Sequence, residues 1–305
     1  MIEIGNVKIK DEFYSGNDQY SDGDIENDLL EIAKNISPDE YDNIIGERKS
    51  WPILYHFSKI RENIVSWLPI DKEDKVLEVG AGCGAVTGAL CKLAKQVDAI
   101  EVSMRRSEIN AWRHKVRRNL IINVGNFQDV ERSLSYDYEW ITLIGVFEYA
   151  QGFIRTDSPY LDFLKIIKKH LKKDGRLVIA IENKFGLKYW AGCREDHTGN
   201  LFQGLEGYHG VDFVRTFGKQ ELTDLCQNAG FSDVKFYYPY PDYKLPEEIF
   251  SDDYLPSPSN LIFNHRNFDR DRLDLFNETK VYEGIIKEGM FPFFSNSFLV
   301  VLSGE

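Results

Sequence analysis

Val76-Leu77-Glu78-Val79-Gly80-Ala81-Gly82-Cys83-Gly84-Ala85 is the stretch on which the fold turns. Its first four residues read as a short buried strand. The glycines that follow permit a tight turn and let a ligand approach the backbone closely. Val86, Ala89, Leu90 and Leu93 then recur at helical spacing, so a helix with free N–H groups at its start comes next. Strand, glycine turn and helix in this order open a nucleotide-binding α/β sheet. Gly80, Gly82 and Ala85 also satisfy the relaxed dinucleotide fingerprint GxGxxG/A, so glycine spacing alone leaves the ligand open.

Outward from this stretch the pattern alternates. Strands are expected at Val97–Val102, from Leu120, at Trp140–Ile144, at Leu177–Ile181 after the turn Asp174-Gly175, at Val234–Tyr238 and at Phe298–Leu302. Helices are expected over Pro52–Leu68, 104–118, from Leu161 to Leu171 and from Leu222 to Ala229. This is an α/β pattern: a seven-stranded, Rossmann-like, mostly parallel sheet with helices on both faces and an antiparallel last strand. Two long aromatic-rich connections, 183–218 and 240–295, follow strands five and six. They are expected to leave the carboxyl edge of the sheet, where ligands bind, and to act as lids. The organisation is an acidic N-terminal extension, 1–50, followed by the main domain, 51–305.

Composition narrows the function. Among 305 residues, Lys+Arg 37 against Asp+Glu 49 gives a net charge of -12, which argues against a general nucleic-acid binder. No apolar run approaches the ~18 residues of a membrane span. Met1–Lys10 lacks a signal-peptide core. Cys83, Cys91, Cys193 and Cys226 show no CxxC pairing, and the expectation is a soluble cytoplasmic protein. Residues 1–50 hold 13 acids and 5 bases, hence -8 of the -12, and read as a solvated leader or cap. A Ca²⁺ loop read from Asp18 has Gly23 at the sixth place but Leu29 instead of Glu at the twelfth.

Two carboxylates separate the cofactors. Glu78 stands two residues before Gly80, where it would repel a pyrophosphate but favour the ammonium and sulfonium of S-adenosylmethionine. Glu101 ends the second strand and is placed to accept ribose hydroxyls from either cofactor.

Glu78-Val79-Gly80-Ala81-Gly82-Cys83-Gly84 resembles the first motif of class I S-adenosylmethionine-dependent methyltransferases, and Asp98-Ala99-Ile100-Glu101 resembles the second. Gly125-Asn126-Phe127 sits where that family commonly has Gly-Asp beside the adenine; here Asn replaces Asp. Ile144-Gly145-Val146-Phe147-Glu148 resembles the strand-four motif at the methionine end, and Leu171–Val178 the approach to strand five. The likeness covers roughly residues 50–240. It implies S-adenosylmethionine held by Glu78, Gly80, Ala81, Gly82, Gly84, Glu101, Val102, Asn126, Phe127, Gly145 and Glu148. Trp51–Ser58, Ile181–Tyr189 and Tyr238–Pro246 resemble methyltransferases encoded with bacterial polysaccharide and glycosyltransferase genes. That narrower likeness implies a sugar or glycan-linked acceptor, with a glycosyltransferase as partner or fused domain.

Methyl transfer to a hydroxyl needs a base, whereas a phosphate or carboxylate acceptor needs none. His197 and Glu182 are the catalytic candidates and His209 a further one; a loop or surface role is the plainer reading of each. His197 leads because imidazole titrates near neutrality and two acids precede it. No metal is expected, since Cys193, His197 and His209 lack zinc-ligand spacing. The basic stretch from Arg105 to Arg118 reads as a solvated helix face. The expected function is O-methylation of a sugar, glycan-linked or other small-molecule acceptor. The rivals are an N-methyltransferase, although the Asn/Asp-Pro-Pro-Tyr/Phe run is missing, a non-catalytic module regulating a glycosyltransferase, and a nicotinamide oxidoreductase.

Overall fold

Apolar runs become strands where both faces are covered. Val76, Leu77 and Val79 of β3 (Lys75–Val79) and Val97, Ala99 and Ile100 of β4 (Gln96–Glu101) are all buried in the computed structural model, which describes residues 1–262 and 270–304. The chain divides into two compact units. Met1–Leu143 and Lys169–Arg176 form the first; Ile144–Lys168 and the chain from Leu177 onward form the second.

In the first unit β1 (Ile2–Ile4), β2 (Val7–Phe13), β5 (Leu120–Gly125) and β6 (Tyr138–Ile144) join β3 and β4 in the order β1-β2-β5-β4-β3-β6. β1 is antiparallel to β2 and the other pairs are parallel. Val79 lies opposite Ile100 of β4 and Leu143 of β6, so these three strands end in step and the glycine turn leaves at their carboxyl ends.

In the second unit the order is β7-β10-β8-β9, with β7 (Leu171–Glu182), β8 (Asp233–Tyr240), β9 (Glu248–Ser251) and β10 (Ser297–Ser303). The last strand is antiparallel as expected. It lies between β7 and β8, which therefore run the same way. Segments 183–218 and 240–295 consequently leave one edge, where β10 begins.

Ten strands stand among the described residues where seven are expected. β1 and β2 were hidden because only Val7 and Ile9 are fully buried, between lysines that keep some exposure. β9 lies inside the second long connection and pairs with β8, so that segment is not simply a lid. Asp174-Gly175 lies within β7 rather than before it. The helix expected over Pro52–Leu68 ends at Phe57. Ser58 is extended there, and its hydroxyl accepts from Ile60 N–H at 3.3 Å to start a 3₁₀ turn over Lys59–Ile64.

The acidic first fifty residues are more than a solvated leader. Leu29, Leu30, Ile32 and Ala33 of the Ile25–Asn35 helix pack in one core with Tyr41, Ile53, Phe57, Cys83 and Ile109. Their acids are spent on docking. Asp18 accepts from Met104 N–H at 2.7 Å, supplementing the Ser103 cap at the start of the Met104–Arg113 helix. Asp22 meets His56 at 2.9 Å and Arg106 at 3.0 Å, and Glu26 lies 3.4 Å from Arg106. The basic stretch is likewise not one solvated face. Arg106 is buried, and Arg113 Nη1 donates to the carbonyls of His56 and Cys83 at 2.6 and 2.8 Å.

Candidate active site

The turn after β3 satisfies most of its donors internally. Gly80 and Ala81 N–H both donate to Ile100 C=O, at 2.9 and 3.0 Å, and Gly84 N–H donates to Ala81 C=O at 3.0 Å. Gly82 N–H donates to Glu101 Oε2 at 2.7 Å, and Ser103 N–H to Glu101 Oε1 at 3.0 Å. A pyrophosphate at this turn would need such amides. Their use inside the protein adds to the case against a dinucleotide.

Two glycines serve different ends. A Cβ at Gly84 would lie 2.4 Å from Asn110 Oδ1, so the Met104–Arg113 helix requires glycine there. A Cβ at Gly82 would meet nothing closer than Arg106, at 3.9 Å, so backbone is open to a ligand at this point. Glu101, buried next to it, gives one lone pair to each of two amides and keeps lone pairs for two ribose hydroxyls. Glu78 is buried and accepts from Thr87 Oγ1 at 2.7 Å; burial pushes its carboxyl up to about 8. Asn126 caps the helix Phe127–Val130, its Oδ1 accepting from Gln128 N–H at 2.9 Å. Asn126 and Phe127 are buried and Val102 is partly buried. An open backbone beside Gly82 and a carboxylate with spare lone pairs fit S-adenosylmethionine.

A family model for a methyltransferase domain matches residues 54–235. The chain belongs to this methyltransferase family. It is an enzyme, and S-adenosylmethionine is its cofactor. An uncharacterized methyltransferase of Staphylococcus carnosus is 27% identical over 154 residues, which span 50% of this chain and 67% of that protein. Ribosomal RNA small subunit methyltransferase A of Borreliella afzelii is 32% identical over 84 residues, 27% of this chain and only 30% of that one. A SAM-dependent methyltransferase structure from Archaeoglobus fulgidus is 13% identical with a TM-score of 0.49, covering 83% of this chain and 99% of its own.

Other candidates of the methyltransferase lie in its second unit and gather around His197. Glu148 sits in the 3₁₀ turn Phe147–Tyr149 after β6. Its backbone carbonyl accepts from Tyr160 Oη at 3.1 Å and from Arg215 N–H at 3.0 Å. Phe147 beneath it is fully buried against Tyr160, Phe163 and Phe217. Glu182 ends β7 opposite Ser297, fully buried, with Lys244 and the Tyr243 hydroxyl at its Oε1. His197 Nδ1 lies 2.7 Å from Glu195 Oε1. Glu195 also accepts from the N–H groups of His197 and Thr198 and from Tyr208 Oη, at 2.8, 2.6 and 3.0 Å. Burial opposes charge on both partners, yet their pairing holds the Glu195 carboxyl down to about 2, while Glu182, Glu148 and Glu195 keep the imidazole well above its usual range.

His197 Nε2 faces Glu148 Oε1 at 3.7 Å and Glu182 Oε2 at 3.9 Å, beyond hydrogen-bond reach. Oε2 of Glu148 and Oε2 of Glu182 are buried without a hydrogen-bond partner. Sequence reasoning singled out His197, Glu182 and Glu148 and counted Glu195 among the two acids before His197, but gave it no role; the signal was the spacing Glu195-x-His197 in one tight turn.

His209 is exposed and stands apart from this set, so the Cys193–His197–His209 group is not assembled. Beside Gly145 the space is taken by Tyr243, whose hydroxyl would lie 2.8 Å from a Cβ. The lid aromatics are mostly core: Tyr189, Tyr208, Tyr238, Tyr240 and Tyr243 are buried, whereas Trp190 is exposed.

Proposed function

We propose that this methyltransferase acts on a hydroxyl oxygen of a sugar, a glycan-linked group or another small-molecule acceptor. The observation that carries the reading is the pair of buried, unengaged acceptor atoms, Oε2 of Glu148 and Oε2 of Glu182, on two carboxylates that face His197 Nε2 through Glu148 Oε1 and Glu182 Oε2. A hydroxyl must lose its proton as the new bond forms. Glu182 Oε2 or Glu148 Oε2 takes it, and Glu195 fixes the imidazole ring, which its carboxylate neighbours hold charged. A phosphate or carboxylate acceptor has no proton to give and would be repelled by two buried carboxylates.

Glu78, Gly80, Ala81, Gly82, Gly84, Glu101, Val102, Asn126 and Phe127 hold the cofactor, Glu101 at the ribose and Asn126 at the adenine. When bound, S-adenosylmethionine supplies a methyl group activated by sulfonium. The assignment of Gly145 and Glu148 to the methionine end rests on the sequence resemblance. A cytoplasmic location rests on the cysteine pattern, and a glycosyltransferase partner on the sequence resemblance. No helix among the described residues is long and apolar enough to cross a membrane.

An amine acceptor is the second reading, because two carboxylates would also hold an ammonium. Release of S-adenosylhomocysteine against a panel of neutral glycosides and amines separates the two. Turnover with neutral glycosides is expected. Turnover with amines alone moves the enzyme to N-methylation, and cofactor binding without turnover on any acceptor leaves a binding module.

A further inference from the structure

We infer that Glu148, Glu182 and His197 form a divalent-cation site, and that the cation engages the acceptor hydroxyl. The inference rests on the reading that this cluster receives the acceptor.

One ligand atom from each of the three residues lies within 4.8 Å of the others. The pairs that include His197 Nε2 stand at 3.7 and 3.9 Å. Those separations are too long for hydrogen bonds. They lie between the cis and trans spacings of about 3.0 and 4.2 Å for ligands about 2.1 Å from one octahedral ion, so the side chains would shift by several tenths of an ångström to bind one. Glu148 and Glu182 are 1% and 0% exposed, and each keeps one oxygen without a partner. Lys244 and the charged His197 offset part of their charge; a divalent ion would displace the imidazole proton and compensate the two unpartnered oxygens more fully.

The surroundings hold the ligands as a metal site requires. His197 gives its other nitrogen to Glu195, the carboxylate–imidazole pairing that orients a metal-binding histidine. Lys244 occupies Glu182 Oε1 and leaves Oε2 for the ion. Two carboxylate oxygens with one imidazole suit a hard or borderline ion of the Mg²⁺ or Mn²⁺ kind, and no thiolate belongs to the set. Three protein ligands leave coordination positions open, and the acceptor hydroxyl can fill one of them. The cation would lower the pKa of the hydroxyl that reacts. In the transfer the acceptor O–CH₃ bond forms and the S–CH₃ bond breaks. Its electron pair stays on sulfur, and with Glu182 Oε2 on the ion the hydroxyl proton passes to Glu148 Oε2.

The test is titration of Mn²⁺ into the EDTA-stripped full chain, read by the electron paramagnetic resonance of free Mn²⁺. About one ion per chain is expected, displaced by Mg²⁺ at higher concentration. His197→Ala and Glu148→Gln should each weaken Mn²⁺ binding by about tenfold or more. Mn²⁺ broadening of the His197 imidazole resonances locates the ion in the unaltered chain, should a variant fail to fold. No binding of Mn²⁺, Mg²⁺ or Zn²⁺ by the unaltered chain, or equal Mn²⁺ binding by both folded variants, overturns the site. EDTA-resistant turnover with no bound ion also overturns it, while leaving the hydroxyl reading intact. Bound Mn²⁺ with methylation of amines only keeps the cation and sinks the hydroxyl reading.

Discussion

The Thr87 hydroxyl donates to Glu78 Oε2 across 2.7 Å and accepts from Asn110 Nδ2 at 3.1 Å. A chain of hydrogen bonds thus ties the strand before the glycine turn to the helices behind it. Burial, opposed by the Thr87 bond and aided by Glu101, holds the Glu78 carboxyl near 8. At neutral pH the free enzyme therefore carries a proton there, and a cationic cofactor must expel it. Calorimetry at pH 7 in buffers of differing ionisation enthalpy should show proton release on S-adenosylmethionine binding, fading above pH 9. Glu78→Gln should abolish the release. For the free protein the raised pKa makes stability fall as pH climbs from about 4.5 to about 8, because the folded state holds a proton the unfolded chain has lost. Glu78→Gln should flatten that fall in a series of melting curves.

Gly82 and Gly84 should fail differently when changed to alanine. Both have positive φ, +54° and +77°, which costs alanine about 1–2 kcal/mol. At Gly84 the new methyl also collides with Asn110, so Gly84→Ala should lower the melting temperature more than Gly82→Ala. At Gly82 the methyl enters open space, so the loss should fall on cofactor affinity instead. Thermal denaturation with and without S-adenosylhomocysteine reads both effects. Equal loss of cofactor affinity in the two variants would remove Gly82 from the cofactor cradle.

Glu101→Gln should weaken S-adenosylmethionine by about 1.5–3 kcal/mol, the scale of hydrogen bonds to a charged group. Glu101→Ala does more harm, since it strands the amides of Gly82 and Ser103. It should lower the stability of the free protein as well, by about 1–3 kcal/mol. Unchanged affinity in Glu101→Gln, measured by calorimetry, would move the ribose elsewhere.

Arg106→Met should destabilise the first unit by about 3–5 kcal/mol, because Asp22 and Glu26 are left as poorly compensated carboxylates. Burial raises Asp22, but His56 and Arg106 outweigh it and bring it to about 2. The stability it contributes is present above about 4 and lost as pH falls toward 2. Acid titration followed by circular dichroism should show that loss in the unaltered protein and a smaller one in Asp22→Asn.

The glycine turn, its flanking strand and helix, Glu101 at the strand end and the antiparallel last strand were legible in the sequence because each is written locally, in apolar runs and glycine placement. The acidic segment misled. Its charge suggested solvation, yet Asp18, Asp22 and Glu26 are matched by the start of the Met104–Arg113 helix and by Arg106, about eighty residues away. β1, β2 and β9 escaped because edge strands bury too few side chains to leave a clear pattern.

The sequence by itself determined the class of sheet and the cofactor turn, since both follow from short runs whose chemistry is self-contained. It also nominated His197, Glu182 and Glu148, without saying that they meet. Only the tertiary structure decided that, bringing Glu148 from the turn after β6, Glu182 from the end of β7 and His197 from a loop fixed by Glu195 into one buried set. Three residues spread over fifty positions leave no periodic signal. Their proximity is set by strand order and by the packing of Phe147, Tyr160 and Tyr208 around them.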